Sequence, residues 1–399
     1  MSNKLLILSE YFYPDERTDA FLISEITKKF DEVLEGNIKI ICTSSLEGQE
    51  EIFSLRNKIL RLKKNKLNET NLFIRIIKFL ILTTKISFYA YKNIQKGDNV
   101  FLTTNPAFLM IVIALFKYFK TFKYTLLVYD VFPENLAAAK IISKKGLFYK
   151  IINSIYNWAY SKADKLIVIG MDMQEILTLK TGQKVSIEII ENWCDYKSVK
   201  PSSKLENKIL KNLQIENKIV FLFAGNLGRV QGIPTLLKAF QLVKNREIAL
   251  LFIGKGAYKE EIIKHISENK SSNVYYGGSF PISQQNEFLN ACDISIISLS
   301  SEMYGLGVPS KSYYNMSAKK PILYIGDEKS EIAQVVHNFK IGWNIEANEP
   351  ELLANLLDTI SLESAKFESM GKRAREVVAE YYSKEIILSK YAKLYEIDK

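Results

Sequence analysis

Residues 218–240, KIVFLFAGNLGRVQGIPTLLKAF, decide how this chain is read. Ile219 to Ala224 form a short unbroken apolar run, the mark of a strand covered on both faces. A loop carrying Gly225, Gly228, Arg229 and Gly232 follows, and beyond it the apolar residues take up helical spacing. Strand, glycine loop and helix, in that order, make the repeating unit of a parallel α/β sheet.

The unit recurs in both directions. After it come 249–254 (ALLFIG), 273–276 (NVYY), 294–299 (ISIISL) and 321–325 (PILYI). Before it come 4–9 (KLLILS), 38–42 (IKIIC), 99–103 (NVFLT), 124–129 (YTLLVY), 165–169 (KLIVI) and 186–190 (SIEII). Between the two series, DYKSVKPSSKLENKILKN is polar and contains Pro201-Ser202-Ser203, so it reads as a linker. The expectation is two doubly wound α/β domains, residues 1–199 and 200–382. Ligands in such sheets bind at the carboxyl ends of the strands, so two facing domains place a cleft between them.

Strand ends are therefore where chemistry is sought. Four successive ends in the second half carry glycine: FAGNLGRVQG, FIGKG, YYGGSF and SLSSEMYGLGVPSK. Glycine serves plain tight turns, but four loops in register point to backbone approaching an anion at helix N-termini, and a diphosphate suits that setting. The stretch GLGVPSKSYYNMSAKKP, 305–321, sets Ser310 and Lys311 where a helix begins and its amides are unpaired. The first loop lacks G-x-G-x-x-G, and GxxxxGK[ST] occurs nowhere, so this is neither a dinucleotide fingerprint nor a Walker loop.

Composition narrows the chemistry. With 399 residues, 47% of them apolar, the chain can bury two cores. Cys42, Cys194 and Cys292 are far apart and lack metal-ligand spacing, which fits a reducing compartment. His265 and His337 are the only histidines, so a histidine triad or a histidine metal site is hard to build. A net charge of +10 asks for an anionic partner. Basic-apolar segments at 54–66 (SLRNKILRLKKNK), 75–93 (RIIKFLILTTKISFYAYKN) and 107–124 (AFLMIVIALFKYFKTFKY) read either as amphipathic helices packed on a sheet or as a membrane-facing surface. Lys117 interrupts the longest apolar run well short of the roughly 20 residues a bilayer needs. The opening KLLILSEYF reads as a strand rather than a signal peptide, so a cytoplasmic, peripheral protein is expected. No helix-turn-helix or RNA-recognition pattern accompanies the charge, and nucleic acid is not an expected partner.

The order of these motifs resembles glycosyltransferase family 4. FAGNLGRVQGIPTLLKAF, LLFIGKG, NVYYGGSFPISQQNEFLNACDISIISL and GVPSKSYYNMSAKKPILYIG follow one another as in that family. The look is that of bacterial enzymes adding amino sugars to lipid-linked O-antigen or capsule precursors. LSEYFYPDERTDAFLISEITKKF, VYDVFPENL and IEIIENWCD are similar to its amino-half motifs. GKRAREVVAEYYSKEIILSKYAKLYEI is similar to the closing helices, the last of which (383–399) completes the first domain of the GT-B fold.

The resemblance implies a retaining transfer of a sugar, an N-acetylated hexosamine or deoxyhexosamine, from a nucleoside diphosphate such as UDP. The acceptor is a polyprenyl-diphosphate-linked saccharide, and neither metal nor cofactor is needed. It places the donor on the second domain, with Arg229 and Lys311 as cations on the leaving diphosphate. Gly225, Gly228, Gly254, Gly256, Gly307, Val308, Pro309 and Ser310 line the donor site. Glu302 and Tyr314 are its candidate sugar and ribose contacts. On the acceptor side stand Arg17, Thr18, Asp130 and Glu134, with Asp130 orienting or deprotonating the acceptor hydroxyl or, alternatively, capping the following helix. The chain departs from the family pattern at several points. Tyr314 and Leu306 stand where an E-x7-E pair is usual, Gln231 replaces a lysine, and Arg17-Thr18 replaces a glycine pair. A nucleotide-sugar 2-epimerase of the same fold and a non-catalytic membrane scaffold remain alternatives.

Overall fold

A computed structural model describes residues 4–15, 17–43, 58–63, 72–269 and 273–396, apart from the side chains of residues 72, 73 and 75. The chain forms two compact units. The first comprises Met1–Glu191, Gly305–Gly307 and Leu388–Lys399, and the second comprises Asn192–Tyr304 and Val308–Ile387.

The first unit is built on seven parallel strands: β1 (Leu5–Leu8), β2 (Ile38–Cys42), β3 (Ile59–Arg61), β4 (Asn99–Thr103), β5 (Lys123–Val128), β6 (Lys165–Val168) and β7 (Ser186–Ile189). Their order is β3-β2-β1-β4-β5-β6-β7, with Leu5–Leu8 registered against Ile38–Ile41 on one side and Asn99–Leu102 on the other. The order reverses between β1 and β4, which makes that gap the crevice where ligands of such sheets bind. The helices of this unit are α1 (Thr18–Val33), α2 (Leu72–Asn93), α3 (Leu109–Phe116), α4 (Glu134–Ala138), α5 (Leu147–Ser161) and α6 (Met171–Thr181). Right-handed crossovers set α2, α3, α5 and α6 on one face of the sheet and α1 on the other.

The second unit has six parallel strands: β8 (Ile219–Asn226), β9 (Ile248–Lys255), β10 (Val274–Tyr276), β11 (Ile294–Ser298), β12 (Ile322–Ile325) and β13 (Gly342–Ile345). Their order, β10-β9-β8-β11-β12-β13, reverses between β8 and β11. Its helices are α7 (Lys208–Leu213), α8 (Ile233–Leu242), α9 (Lys259–Glu268), α10 (Gln285–Leu289), α11 (Lys311–Ser317), α12 (Glu331–Phe339), α13 (Pro350–Ser361) and α14 (Phe367–Tyr381), while α15 (Lys384–Glu396) begins in this unit and runs from Leu388 on in the first. Phe221, Phe223, Phe240 and Phe252 sit fully inside one face of its core, each such side chain stabilising by about 1.5–3 kcal/mol.

All eleven strands expected from the sequence are present, and two more appear. Residues 59–61, read from sequence as part of a basic amphipathic segment, form the edge strand β3 beside β2. Residues 54–57 and 64–66 of that segment lie outside the described residues. The other addition, β13, is a four-residue edge strand whose half-buried residues give no long apolar run. The first division of the chain falls after Glu191 rather than after residue 199. The reason is local, for Cys194 pairs with Ser383, and Arg375 donates to the carbonyls of Val199 and Tyr196, so 192–199 fold with the second unit. At the far end, Tyr395 meets Phe30 of α1 edge-on at 5.0 Å, which holds the last turns of α15 in the first unit. The three cysteines are buried and free. Among the described residues no helix is long and apolar enough to cross a membrane.

Candidate active site

The ends of β8 and β11 meet at the reversal point of the second sheet. There Lys311, first residue of α11, places its ammonium 3.6 Å from the centroid of the Phe223 ring and donates to Gln231 Oε1 at 3.1 Å. No carboxylate of a described residue pairs with it. Burial alone pulls its pKa down from 10.5 to about 7, because neither an aromatic face nor an amide oxygen replaces the hydration of a full charge. An arriving phosphate would restore that charge. Gly225 lies against the lysine stem: a Cβ added to it would stand 3.6 Å from Lys311 Cδ, and its φ of +126° suits glycine. Arg229, in the same loop, is exposed and makes no ion pair with any described residue.

On the loop after β11 and on α11 are polar atoms that nothing in the residue order marks out. Ser298 Oγ at the end of β11, Ser300 Oγ just after it, and both amide atoms of Asn315 on α11 are buried and lack a hydrogen-bond partner. Buried polar groups are normally paired, so orphans concentrated on one loop and the helix after it mark a place adapted to something besides folding. Ser300 N–H bonds to Val230 O at 2.9 Å, tying this loop to the one after β8. A Cβ on Gly232 would come within 2.7 Å of Ser298 Oγ, and Gly232 itself has φ +61° as the residue preceding α8.

The remaining donor-side candidates separate by cause. A Cβ on Gly254 would sit 1.8 Å from Gly225 O, and one on Gly256 2.5 Å from Leu227 O. These two glycines answer to the close approach of neighbouring backbones. Gly228 crowds only the Asn226 amide, at 2.8 Å. Val308, Pro309 and Ser310 lead into α11, with Ser312 N–H bonded to Pro309 O at 3.0 Å. Glu302 is exposed on a short 3-10 turn, 3.4 Å from Ser301 Oγ. Tyr314 packs against the buried cluster of Val199, Leu289 and Ala318. Gly307 belongs to the first unit, where a Cβ would meet Tyr129 O at 3.2 Å.

The candidates beyond the strands of the first unit include carboxylates. Asp130 follows β5; its Oδ1 accepts from Asn135 Nδ2 at 2.7 Å, and its backbone N–H reaches Thr104 Oγ1 at 3.4 Å. Next to Thr104, Asn105 donates to Asp19 Oδ2 at 3.3 Å, and Asp19 Oδ1 accepts from Ala20 N–H at 3.1 Å. Burial, and then the charge of Asp19, push Asp130 up to about 6, while the Asn135 bond opposes the rise. Asp19 is raised too, chiefly by burial. Asp130 does not cap a helix: α4 starts at Glu134 with no side-chain cap. Asp19 escapes a sequence reading because the first turn of a helix is an ordinary place for an acid. Glu134 is held by Lys180 at 2.6 Å, a pair that the fold itself uses. Arg17 stacks over Tyr11, 4.1 Å from its ring centroid, and Thr18 opens α1.

Residues 206–377 match the model of the family described as glycosyl transferases group 1. A probable glycosyltransferase of Pseudomonas aeruginosa, WbjE, is 34% identical over 397 residues, covering 98% of this chain and 96% of that one. Among solved structures, sucrose-phosphate synthase from Thermosynechococcus elongatus superposes with a TM-score of 0.75 at 15% identity, covering 99% of both chains. HepE of Anabaena, solved in complex with UDP, gives 0.71 at 15% identity, covering 98% of this chain and 99% of that one. At such identities the two structures speak for the fold, two parallel-sheet α/β domains of the GT-B kind.

Proposed function

The chain belongs to the group 1 glycosyl transferases, and on that footing we propose that it is a retaining enzyme using a UDP-linked N-acetylated hexosamine or deoxyhexosamine. The acceptor is a saccharide on polyprenyl diphosphate, and the product feeds a bacterial surface polysaccharide such as O-antigen or capsule. One observation carries the reading: a half-buried lysine at the reversal point of the second sheet whose partners among the described residues are an aromatic ring and an amide oxygen, with no carboxylate. UDP is favoured because HepE of the same fold was solved with it.

In this reading the bond from the anomeric carbon to the diphosphate oxygen breaks while the acceptor hydroxyl bonds to that carbon. Lys311 and Arg229 neutralise the charge growing on the diphosphate, the kind of electrostatic contribution that dominates most catalysis. Asp130 accepts the acceptor hydroxyl's hydrogen bond, and the proton leaves to it or to the departing phosphate. Metal plays no part, so transfer proceeds unchanged in a chelator; loss of the rate there would remove that element. The protein works at the inner face of the plasma membrane, where a polyprenyl acceptor resides.

Thermal-shift measurements with UDP, GDP and dTDP test the donor side. UDP should give the largest shift, and Lys311→Met should abolish it. An equal shift in that variant would overturn the placement of the diphosphate.

A further inference from the structure

The charge of this protein is concentrated in one place. Residues 72–163 hold 13 lysines and arginines against three acids, Asp98, Asp130 and Glu134, a net of +10. With 54 basic and 44 acidic residues in the whole chain, 41 of each remain elsewhere, so the rest is neutral. Of the three acids, Asp98 is buried beside Lys4, Glu134 is held by Lys180, and Asp130 is in the site described above. Helices α2, α3 and α5 contain no acidic residue at all.

These three helices lie side by side in the layer on one face of the first sheet. Tyr91 of α2 meets Phe116 of α3 edge-on at 5.0 Å, and Tyr118, just past α3, stacks on Trp158 of α5 with planes 4° apart. The inner side of α5 is buried through Tyr149, Tyr156 and Tyr160. Its outer side exposes Leu147 (73%), Phe148 (64%), Ile151 (53%) and Ile155 (40%), an apolar row at helical spacing. Phe119, three residues past α3, is 76% exposed. Lys140, Lys144 and Lys145, all exposed, precede that row in the chain, and exposed Lys150 lies within it on the helix.

An apolar row with cations beside it needs an occupant with an apolar interior and an anionic rim. A second copy of this chain would bring two faces of the same charge together. A nucleic acid would meet the lysines but leave the leucine, phenylalanine and isoleucines unsatisfied. An anionic bilayer meets both, lipid phosphates at the lysines and the acyl boundary at the apolar row, and rings such as Tyr118 and Trp158 favour the headgroup level.

We propose that α5 is the element this protein inserts into an anionic bilayer surface, through Leu147, Phe148, Ile151 and Ile155, with Lys144, Lys145 and Lys150 holding lipid phosphates. The proposal rests on the reading above that the enzyme works at a membrane, and it puts the contact outside the segments 54–66, 75–93 and 107–124, for which the sequence alone leaves a membrane-facing reading open. Within the first unit, α5 follows directly on the loop of Asp130 and α4, so the docking helix and the acceptor-side carboxylate share one connection.

Co-sedimentation of the full chain with phosphatidylcholine vesicles containing about a quarter phosphatidylglycerol tests this. The double variant Phe148→Ser/Ile151→Ser should lose at least about tenfold in partitioning. Lys144→Gln/Lys145→Gln/Lys150→Gln should lose roughly fivefold per lysine at low salt, and only on vesicles with the anionic lipid. An unchanged UDP thermal shift in both variants shows that the fold and donor site are intact. If both bind like the unsubstituted protein while Lys78→Gln/Lys85→Gln on α2 does not, the docking helix is misassigned and the membrane reading stands. Failure of the unsubstituted protein to bind either vesicle overturns both. A dimer in light scattering that Phe148→Ser/Ile151→Ser dissolves would reassign the face to self-association.

Discussion

Lys311 and Asp130 stand at comparable places, the lysine opening the helix after β11 and the aspartate following β5, each beyond the carboxyl end of a strand at or beside the reversal point of a parallel sheet. Burial has moved both toward neutrality from opposite sides, the lysine down to about 7 and the aspartate up to about 6. Their companions differ. Lys311 has an aromatic ring and an amide oxygen for company, so it lacks an anion. Asp130 has a second carboxylate, Asp19, near enough to raise it, so what it lacks is a proton or a hydrogen-bond donor. One architecture thus supplies an anion-seeking site in one unit and a donor-seeking site in the other, set by which residues follow the strands. This is the division that transfer from a diphosphate to a hydroxyl requires.

The largest effect is expected where that contrast is most dependent on one charge. Lys311→Met should lower kcat/KM by about 10²–10³, the range for losing one preorganised electrostatic contact. It should also raise the melting temperature of the ligand-free protein near pH 6. A lysine whose folded pKa lies below its unfolded value weakens the native state most when the solution keeps it charged, below about pH 7, and that cost fades as pH rises toward 10.5. A variant that melts lower and still transfers sugar would break the comparison. Asp130→Asn should cost about 10² in kcat/KM. In the unsubstituted enzyme kcat/KM should rise with pH through about 6 as the carboxylate forms. Asp19→Asn should move that limb to lower pH, since the like charge that holds the Asp130 proton is gone. A limb that stays in place would mean another group titrates.

Much of this was legible beforehand, and the reasons differ by level. Strands buried on both faces announce themselves as apolar runs, so eleven were readable, while β3 and β13 are short, half-buried edges without such runs. Lys311 stands out as a candidate in the sequence because a lysine at a helix start after a glycine loop is an unusual placement. Gly254 and Gly256 looked like ligand-approach glycines, yet the backbone they approach is that of the neighbouring strand end. Asp19 and the orphaned Ser298 and Asn315 were invisible, since only the fold shows that a common residue is buried or unpaired. The apolar row of α5 was hidden for the same reason: spacing shows that a helix has faces, and only packing shows which one stays bare.

A subtler consequence concerns UDP affinity. Above about pH 7 the free protein holds Lys311 largely uncharged, whereas a bound diphosphate would keep its proton, so binding takes up a proton. The Kd for UDP should therefore rise by up to about tenfold per pH unit above 7, until the bound-state pKa is passed. Lys311→Arg, charged throughout, should flatten the curve. A curve equally steep in that variant would place the titrating group elsewhere.

The smallest effect is expected at Tyr314, where the family pattern has a glutamate. Were its hydroxyl to hold the ribose, Tyr314→Phe would weaken UDP binding by about tenfold, the worth of one buried hydrogen bond. The ring instead lies against Val199, Leu289 and Ala318, and burial has pushed its hydroxyl far from ionisation. Tyr314→Phe should therefore leave the UDP Kd within about twofold. Tyr314→Glu, which sets a carboxylate against that apolar cluster, should lower the melting temperature without tightening UDP. A tighter complex in the glutamate variant would show that the position reaches the nucleotide after all. The second unit's site would then owe its character to that substitution as well as to Lys311.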